Sequence, residues 1–148
     1  MVTTYIAVLG KSFETVEKLL EEKVQIVILG TGDSYYEGFF KDLERKYGNK
    51  LRAIIAFNQD LSRKIYASSD LFLMPSKSEP CGLSQMIASR YGAIPLVRET
   101  GGLKDSIINF EKNTGNGYTF KGTNAWDMYD VIKKALNDYQ NEELWKKQ

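Results

Sequence analysis

The composition of the chain excludes several functional classes before any motif is considered. The chain has 148 residues, a formal net charge of +1, 43% apolar residues and 26% charged residues, which is the balance of one ordinary globular domain. The small net charge gives no electrostatic reason to expect a nucleic acid or a membrane as partner. Without any His, the chain lacks the commonest general base and the commonest transition-metal ligand. We expect neither a metal nor a cofactor.

Cysteine content and hydropathy favour a reducing compartment inside the cell. The single Cys81 leaves no internal disulfide and suits a reducing environment. No apolar run approaches the length of a membrane span, and the N-terminus lacks the pattern of a signal peptide. We therefore expect a cytoplasmic protein.

Strands and helices are predicted to alternate along the chain. Short runs rich in apolar residues predict strands at Tyr5–Leu9, Gln25–Leu29, Arg52–Phe57, Leu71–Met74, Ile94–Val97 and Tyr118–Phe120. Amphipathic segments predict helices at Phe13–Glu22, Tyr35–Tyr47, Leu61–Ala67, Leu83–Tyr91, Lys104–Ile108 and Ala125–Tyr139. This alternation predicts one α/β domain over residues 1–148, a doubly wound, mainly parallel, Rossmann-like sheet of about six strands with helices on both faces.

Ligands of such sheets bind beyond the carboxyl ends of the strands, and those ends are rich in glycine and polar residues here. Turn chemistry alone accounts for most of these positions. The segment VLGKS at Val8–Ser12 is not a P-loop, because Tyr5 stands where that motif needs glycine. Lys11 is either a cation at a phosphate site or a solvated lysine.

The segment around Glu79 is the least expected feature. Glu79 stands directly before Pro80, Cys81 and Gly82 at a predicted helix start, where Ser, Thr, Asp or Asn would cap better. Pro80 suits the first helical position, and Gly82 in the first turn would cost about 1 kcal/mol relative to alanine. Close approach of another group to the backbone would explain that cost, and helix starts attract anions. The residues thus predict a phosphate at the helix start, with the carboxylate handling another part of the same ligand.

Cys81 itself allows two interpretations. A helix start would lower the pKa of its thiol and make it more nucleophilic, but the chain has no His to activate it. The simpler interpretation is an inert, partly buried thiol.

The stretch PSKSEPCGLSQMIASRYGAIPLVRETGGLKDSI resembles the C-terminal domain of bacterial glycogen synthases and plant starch synthases. The likeness continues upstream in VQIVILGTGD and AFNQDLSRKIYASSDLFLMPS, and downstream in NGYTF and ALNDYQNEELWKK. It implies a retaining glucosyltransferase of two Rossmann-like domains, in which this half binds ADP-glucose or ADP. The glucan acceptor would need the N-terminal domain, so we expect a fragment that is inactive alone.

The resemblance also implies roles for individual residues. Glu79 would lie beside the donor sugar, position it and stabilise positive charge at its anomeric centre. The backbone of Gly82 and Leu83 would meet the distal phosphate, and Phe57 would lie near the adenine. The other expected donor contacts are Lys11, Cys81, Ser84, Thr100, Gly101 and Gly102.

Departures from the family pattern keep alternatives open. Lys11 stands where the family has Arg, and nothing matches the family's second cation. Ile87 stands where related glycosyltransferases carry a second Glu, which the glycogen synthase branch also lacks. A non-catalytic or re-engineered Rossmann-like module with weak or no nucleotide binding is the main alternative. A flavodoxin-like or receiver-type domain also fits the alternation of strands and helices, but it predicts an acidic cluster where Gly10 and Lys11 stand.

Overall fold

The structure, a computed structural model, describes residues 2–6, 13–76, 78, 82–112 and 114–146. Its strands are β1 (Val2–Ile6), β2 (Val24–Gly30), β3 (Leu51–Ile55), β4 (Leu71–Met74), β5 (Ile94–Arg98) and β6 (Tyr118–Phe120). Its helices are α1 (Phe13–Leu19), α2 (Ser34–Lys46), α3 (Gln59–Ser68), α4 (Ser84–Arg90), α5 (Gly101–Ser106), α6 (Ala125–Tyr139) and α7 (Glu142–Trp145).

The strands form one sheet in the order β3-β2-β1-β4-β5-β6, and every neighbouring pair is parallel. β1 lies inside the sheet, where Tyr5 pairs with Val27 of β2 and with Phe72 of β4. This is the doubly wound Rossmann order, so the predicted fold class is confirmed. The flavodoxin-like and receiver-type alternative is wrong, because those domains place their first strands in the order 2-1-3.

Helices cover both faces of the sheet, and β4 shows the division most clearly. All four of its residues are buried. Leu71 and Leu73 belong to the core cluster that contains α1, α2 and α6, whereas Phe72 and Met74 belong to the cluster that contains α3, α4 and α5. Burial on both faces explains why the strands read as continuous apolar runs.

The predicted starts of β1 and α3 are wrong for physical reasons. The first strand begins at Val2 rather than Tyr5, because pairing with the buried strand β2 recruits two polar threonines that the apolar pattern does not mark. Its predicted end at Leu9 lies outside the described residues. The third helix begins at Gln59 rather than Leu61, since Asn58 caps it by accepting a hydrogen bond from the backbone of Leu61.

The last long helix, α6, starts and ends where the pattern predicts and is followed by the unpredicted short helix α7. In the described part of the chain, no helix is both long enough and apolar enough to cross a bilayer.

Candidate functional site

The order of the strands reverses between β1 and β4, so the crevice at their carboxyl ends is where a doubly wound sheet binds its ligand. The segments that follow these two strands carry Lys11, Glu79 and Cys81. These three predicted site residues lie outside the described residues. The others lie in the described part, at the ends of β3 and β5 and just before α4.

The helix α4 begins at Ser84, with Leu83 at its N-cap (φ −104°, ψ −27°). The prediction that Gly82 belongs to the first turn is therefore wrong. Gly82 has φ +62°, a left-handed conformation that cannot continue a right-handed helix. Leu83 is 66% exposed, and Ser84 is half-buried.

Gly82 is required by the packing of the chain itself. An added Cβ there would lie 2.8 Å from Oε1 of Gln85 and 3.0 Å from Cδ2 of Leu103. Gly82 is buried. Its missing side chain thus makes room for protein atoms, and this close approach accounts for the glycine without any ligand.

The second glycine turn is the start of α5. That helix begins at Gly101, which has φ +48°, and not at the predicted Lys104. Thr100 is the N-cap but makes no side-chain capping bond. Gly101 is exposed, and Thr100 and Gly102 are half-buried. Two adjacent glycines hide the start of this helix from a pattern of apolar residues.

Hydrogen bonds beneath the surface join the two glycine turns. Nε2 of the fully buried Gln85 donates to the carbonyl oxygen of Gly82 at 2.6 Å and to Oγ of Ser106 at 3.0 Å. Oγ of Ser106 donates in turn to the carbonyl oxygen of Gly102 at 2.8 Å. Neither Gln85 nor Ser106 was predicted from the sequence as a site residue. The available signal was that Gln85 shares the core-facing side of α4 with Ala88, a polar residue in an apolar register.

Phe57 lies at the same edge but apart from the two turns. It follows β3 and is 86% exposed, so its ring is available to a ligand. Since β3 and β4 are three strand spacings apart in the sheet, Phe57 lies roughly 14 Å from the loop that follows β4.

Arg98 brings positive charge to this edge, at the end of β5. Its guanidinium donates to the carbonyl oxygen of Ser76 at 3.4 Å and to that of Gly122 at 3.3 Å. It thereby links the loops that follow β4 and β6. The sequence analysis did not single it out, because one arginine after a strand is not distinctive without the topology.

The shifted pKa values of the described residues belong to structural contacts. A hydrogen bond from Lys46 lowers the pKa of Glu17, and the same pair raises the pKa of Lys46. Burial, with Asp70 alongside, raises the pKa of Tyr139. Among the described residues there is no cluster of His, Cys, Asp and Glu that could hold a metal ion.

A groove of about 450 Å³ lies away from the carboxyl edge and is lined in part by Glu22, Lys133 and Tyr139. Lys133 donates to Glu22 at 2.6 Å across it, and this contact raises the pKa of Lys133. None of the predicted site residues in the described part of the chain lines this groove. It is the rival location for a bound nucleotide.

The topology and the switch-point crevice define a Rossmann-like α/β domain. The family model of glycosyl transferases group 1 matches residues 3–148, and the chain belongs to that family. Among curated relatives, the glycogen synthase of Clostridium beijerinckii is 54% identical over 131 residues, covering 87% of this chain and 27% of that protein. The glycogen synthase of Bacillus licheniformis is 49% identical over 142 residues, covering 91% of this chain and 29% of that protein.

Solved structures agree with this assignment. The catalytic domain of starch synthase IV from Arabidopsis thaliana, bound to ADP and acarbose, superposes with a TM-score of 0.84 at 30% identity. That match covers 99% of this chain and 33% of the other. Sucrose-phosphate synthase from Thermosynechococcus elongatus shares the fold with a TM-score of 0.71 at 20% identity, over 99% of this chain and 39% of that one. The chain spans less than a third of the length of the curated relatives named above.

Proposed function

We propose that this chain is the donor-binding domain of a glycogen or starch synthase, which transfers glucose from ADP-glucose to an α-1,4-glucan with retention of configuration. The observation that carries the proposal is the pairing of two glycine turns at the switch point, in a chain about half identical to glycogen synthases. The likeness to a starch synthase whose structure contains ADP supports an adenine nucleotide as the donor.

The donor would lie along the carboxyl edge of the sheet. Its adenine stacks on the exposed ring of Phe57, and its diphosphate reaches the turn at Gly82 and Leu83. The sugar rests against Gly101 and Gly102, where the absence of side chains permits close approach. Ser84, Thr100 and Cys81 border this path, and Lys11 brings a positive charge to the phosphates.

Glu79 is proposed to act on the reacting sugar. As the bond from the anomeric carbon to the diphosphate breaks, positive charge develops on the sugar ring. A carboxylate beside that carbon stabilises the charge, and backbone N–H groups and cations stabilise the departing diphosphate. An acceptor hydroxyl forms the new bond on the same face, and its proton passes to the diphosphate.

The acceptor and the rest of the cleft are assigned to a second domain. We propose that the 148-residue chain binds donor but does not transfer glucose alone. Its partners are then ADP-glucose, ADP and, with the second domain, a glucan. Nucleic acid and membrane have no role in this proposal, and the expected location is the cytoplasm.

Calorimetric titration of the chain with ADP tests donor binding. We expect millimolar or tighter affinity for ADP and weaker affinity for UDP. Phe57→Ala should weaken ADP binding roughly tenfold, because stacking of a base on an aromatic ring is worth about 1–3 kcal/mol. Its high exposure means that the substitution leaves the core intact.

Ile108→Ala is the matched control. Ile108 is 66% exposed and lies after α5, next to the start of β6, where its N–H donates to Asn116 at 2.7 Å. This variant should bind ADP like the parent. No heat of binding in the parent would instead support the non-catalytic module, which the replacement of the family arginine by Lys11 favours.

A further inference from the structure

Gln85 and Ser106 form a hydrogen-bonded link between two short helices. They are far apart in sequence, yet Nε2 of Gln85 donates to Oγ of Ser106 at 3.0 Å. α4 has seven residues and α5 has six, so neither helix is long enough to hold its own position without tertiary contacts. The link therefore contributes to fixing where the two helices begin.

The direction of the hydrogen bonds is determined by the groups involved. The carbonyl oxygen of Gly82 can only accept, so the amide nitrogen of Gln85 must face it, at 2.6 Å. The second amide hydrogen then points to Ser106, whose hydroxyl hydrogen continues to the carbonyl oxygen of Gly102. One chain of bonds thus runs from the first glycine turn to the second.

Stability alone does not explain the buried side-chain amide of Gln85. Gln85 is fully buried, and none of the described residues donates a hydrogen bond to its Oε1. An orphaned buried acceptor costs about 1–3 kcal/mol, which offsets much of what the two donated bonds contribute. A buried polar group that contributes little to stability is expected where geometry matters for function.

We propose that Gln85 and Ser106 are positioning residues that set the spacing between the turn at Gly82–Leu83 and the turn at Gly101–Gly102, so that one donor molecule can contact both. This inference rests on the proposed function, in which the first turn meets the phosphate and the second meets the sugar. A small misplacement of groups that hold a reacting ligand has a large effect on binding and rate. Neither positioning residue touches the donor.

A positioning role predicts different effects on the binding of ADP and of ADP-glucose, whereas a general loss of stability would affect both alike. ADP lacks the glucose that would contact the second turn, so its binding does not depend on the spacing between the two turns. ADP-glucose reaches both turns and depends on it. The ratio of the two dissociation constants therefore reports the position of one turn relative to the other.

The experiment measures affinities for ADP and ADP-glucose in the parent, Ser106→Ala, Gln85→Met and the double variant. We expect each single variant to bind ADP within about twofold of the parent and ADP-glucose about three- to tenfold more weakly, the range that one hydrogen bond supplies. The double variant should be no weaker than the weaker single variant, because both substitutions break the same link.

Two matched variants serve as controls. Ser106→Thr keeps the hydroxyl and should keep the parental ratio. Ser69→Ala removes a comparable serine bond, from Oγ to the carbonyl oxygen of Ile65 at 2.6 Å, at the opposite edge of the sheet before β4. It should cost stability without changing either affinity.

Each outcome has one interpretation. Equal losses for both ligands, unchanged affinities, multiplied losses in the double variant, or a changed ratio in either control would overturn the positioning role. If the parent binds neither ligand, the proposed function fails and this inference fails with it. If the parent binds both and the ratio is constant in all variants, only this inference fails. Should Gln85→Met not fold, the comparison of Ser106→Ala with Ser106→Thr decides.

Discussion

Replacing Gly82 with alanine tests the packing beneath the first glycine turn, in the absence of any ligand. The φ of +62° costs an L-residue about 1–2 kcal/mol. The new Cβ would also lie 2.8 Å from Oε1 of Gln85, so that the buried amide must shift and weaken its bond to the Gly82 carbonyl, at a further cost of about 1 kcal/mol. The sum, about 2–3 kcal/mol, corresponds to a melting temperature lower by roughly 5–10 °C in a domain of this size.

Thermal unfolding followed by circular dichroism measures the effect, and two other glycines isolate its parts. Gly92 has φ +89° with open space around its Cβ position, so Gly92→Ala should show the conformational cost alone, about 1–2 kcal/mol. Gly30 has neither a positive φ nor a neighbour within 4 Å, so Gly30→Ala should be close to neutral. If Gly82→Ala has the same melting temperature as Gly92→Ala, the steric argument is refuted. If it has the melting temperature of the parent, the assigned positive φ is refuted as well.

Three further predictions concern stability. Gly38 lies inside α2 with open space at its Cβ position, and Gly38→Ala should raise the free energy of unfolding by about 0.5–1 kcal/mol in urea titrations. A lower free energy of unfolding would contradict the open space at this position. Glu44 accepts hydrogen bonds from Lys41 at 2.9 Å and from the N–H of Ala53 at 3.2 Å, and the Lys41 bond lowers the pKa of Glu44. The contribution of Glu44 to stability is therefore present above the unfolded pKa of 4.5 and is lost as the pH falls through the lower pKa of the folded state. Glu44→Gln should thus cost about 1 kcal/mol at pH 7 and progressively less below pH 4.5, and a difference independent of pH would contradict this. Asn124→Ala should cost about 1 kcal/mol in the same titrations, because the Asn124 side chain accepts two N–H bonds at the start of α6, and no loss would contradict the cap.

The fold could be predicted from sequence because its determinants are local. Strands buried on both faces give continuous apolar runs, as in Leu71–Met74, and the helices between them carry their own periodicity. Helix starts were predicted correctly at α6 but missed at α3, although Asn58 caps that helix. They were also missed at α5, where Thr100 makes no capping bond and Gly101 and Gly102 break the pattern.

The candidate site could be predicted only in part. Motifs drew attention to the two glycine turns, but the reason for Gly82 depends on Leu103, which approaches it only in the folded chain. The same holds for Gln85 and Ser106, whose pairing requires α4 and α5 to lie side by side. Contacts between distant parts of the sequence follow from tertiary packing, which periodicity and local propensity do not encode.

The central claim is that the carboxyl edge of this sheet binds the donor nucleotide. Titration of the ¹⁵N-labelled chain with ADP, followed by amide chemical shifts, tests it most directly. Saturable shifts should cluster at Phe57 and at Leu83, with little change elsewhere. Shifts centred instead on the groove lined by Glu22 and Lys133, or no shifts at millimolar ADP, would contradict it.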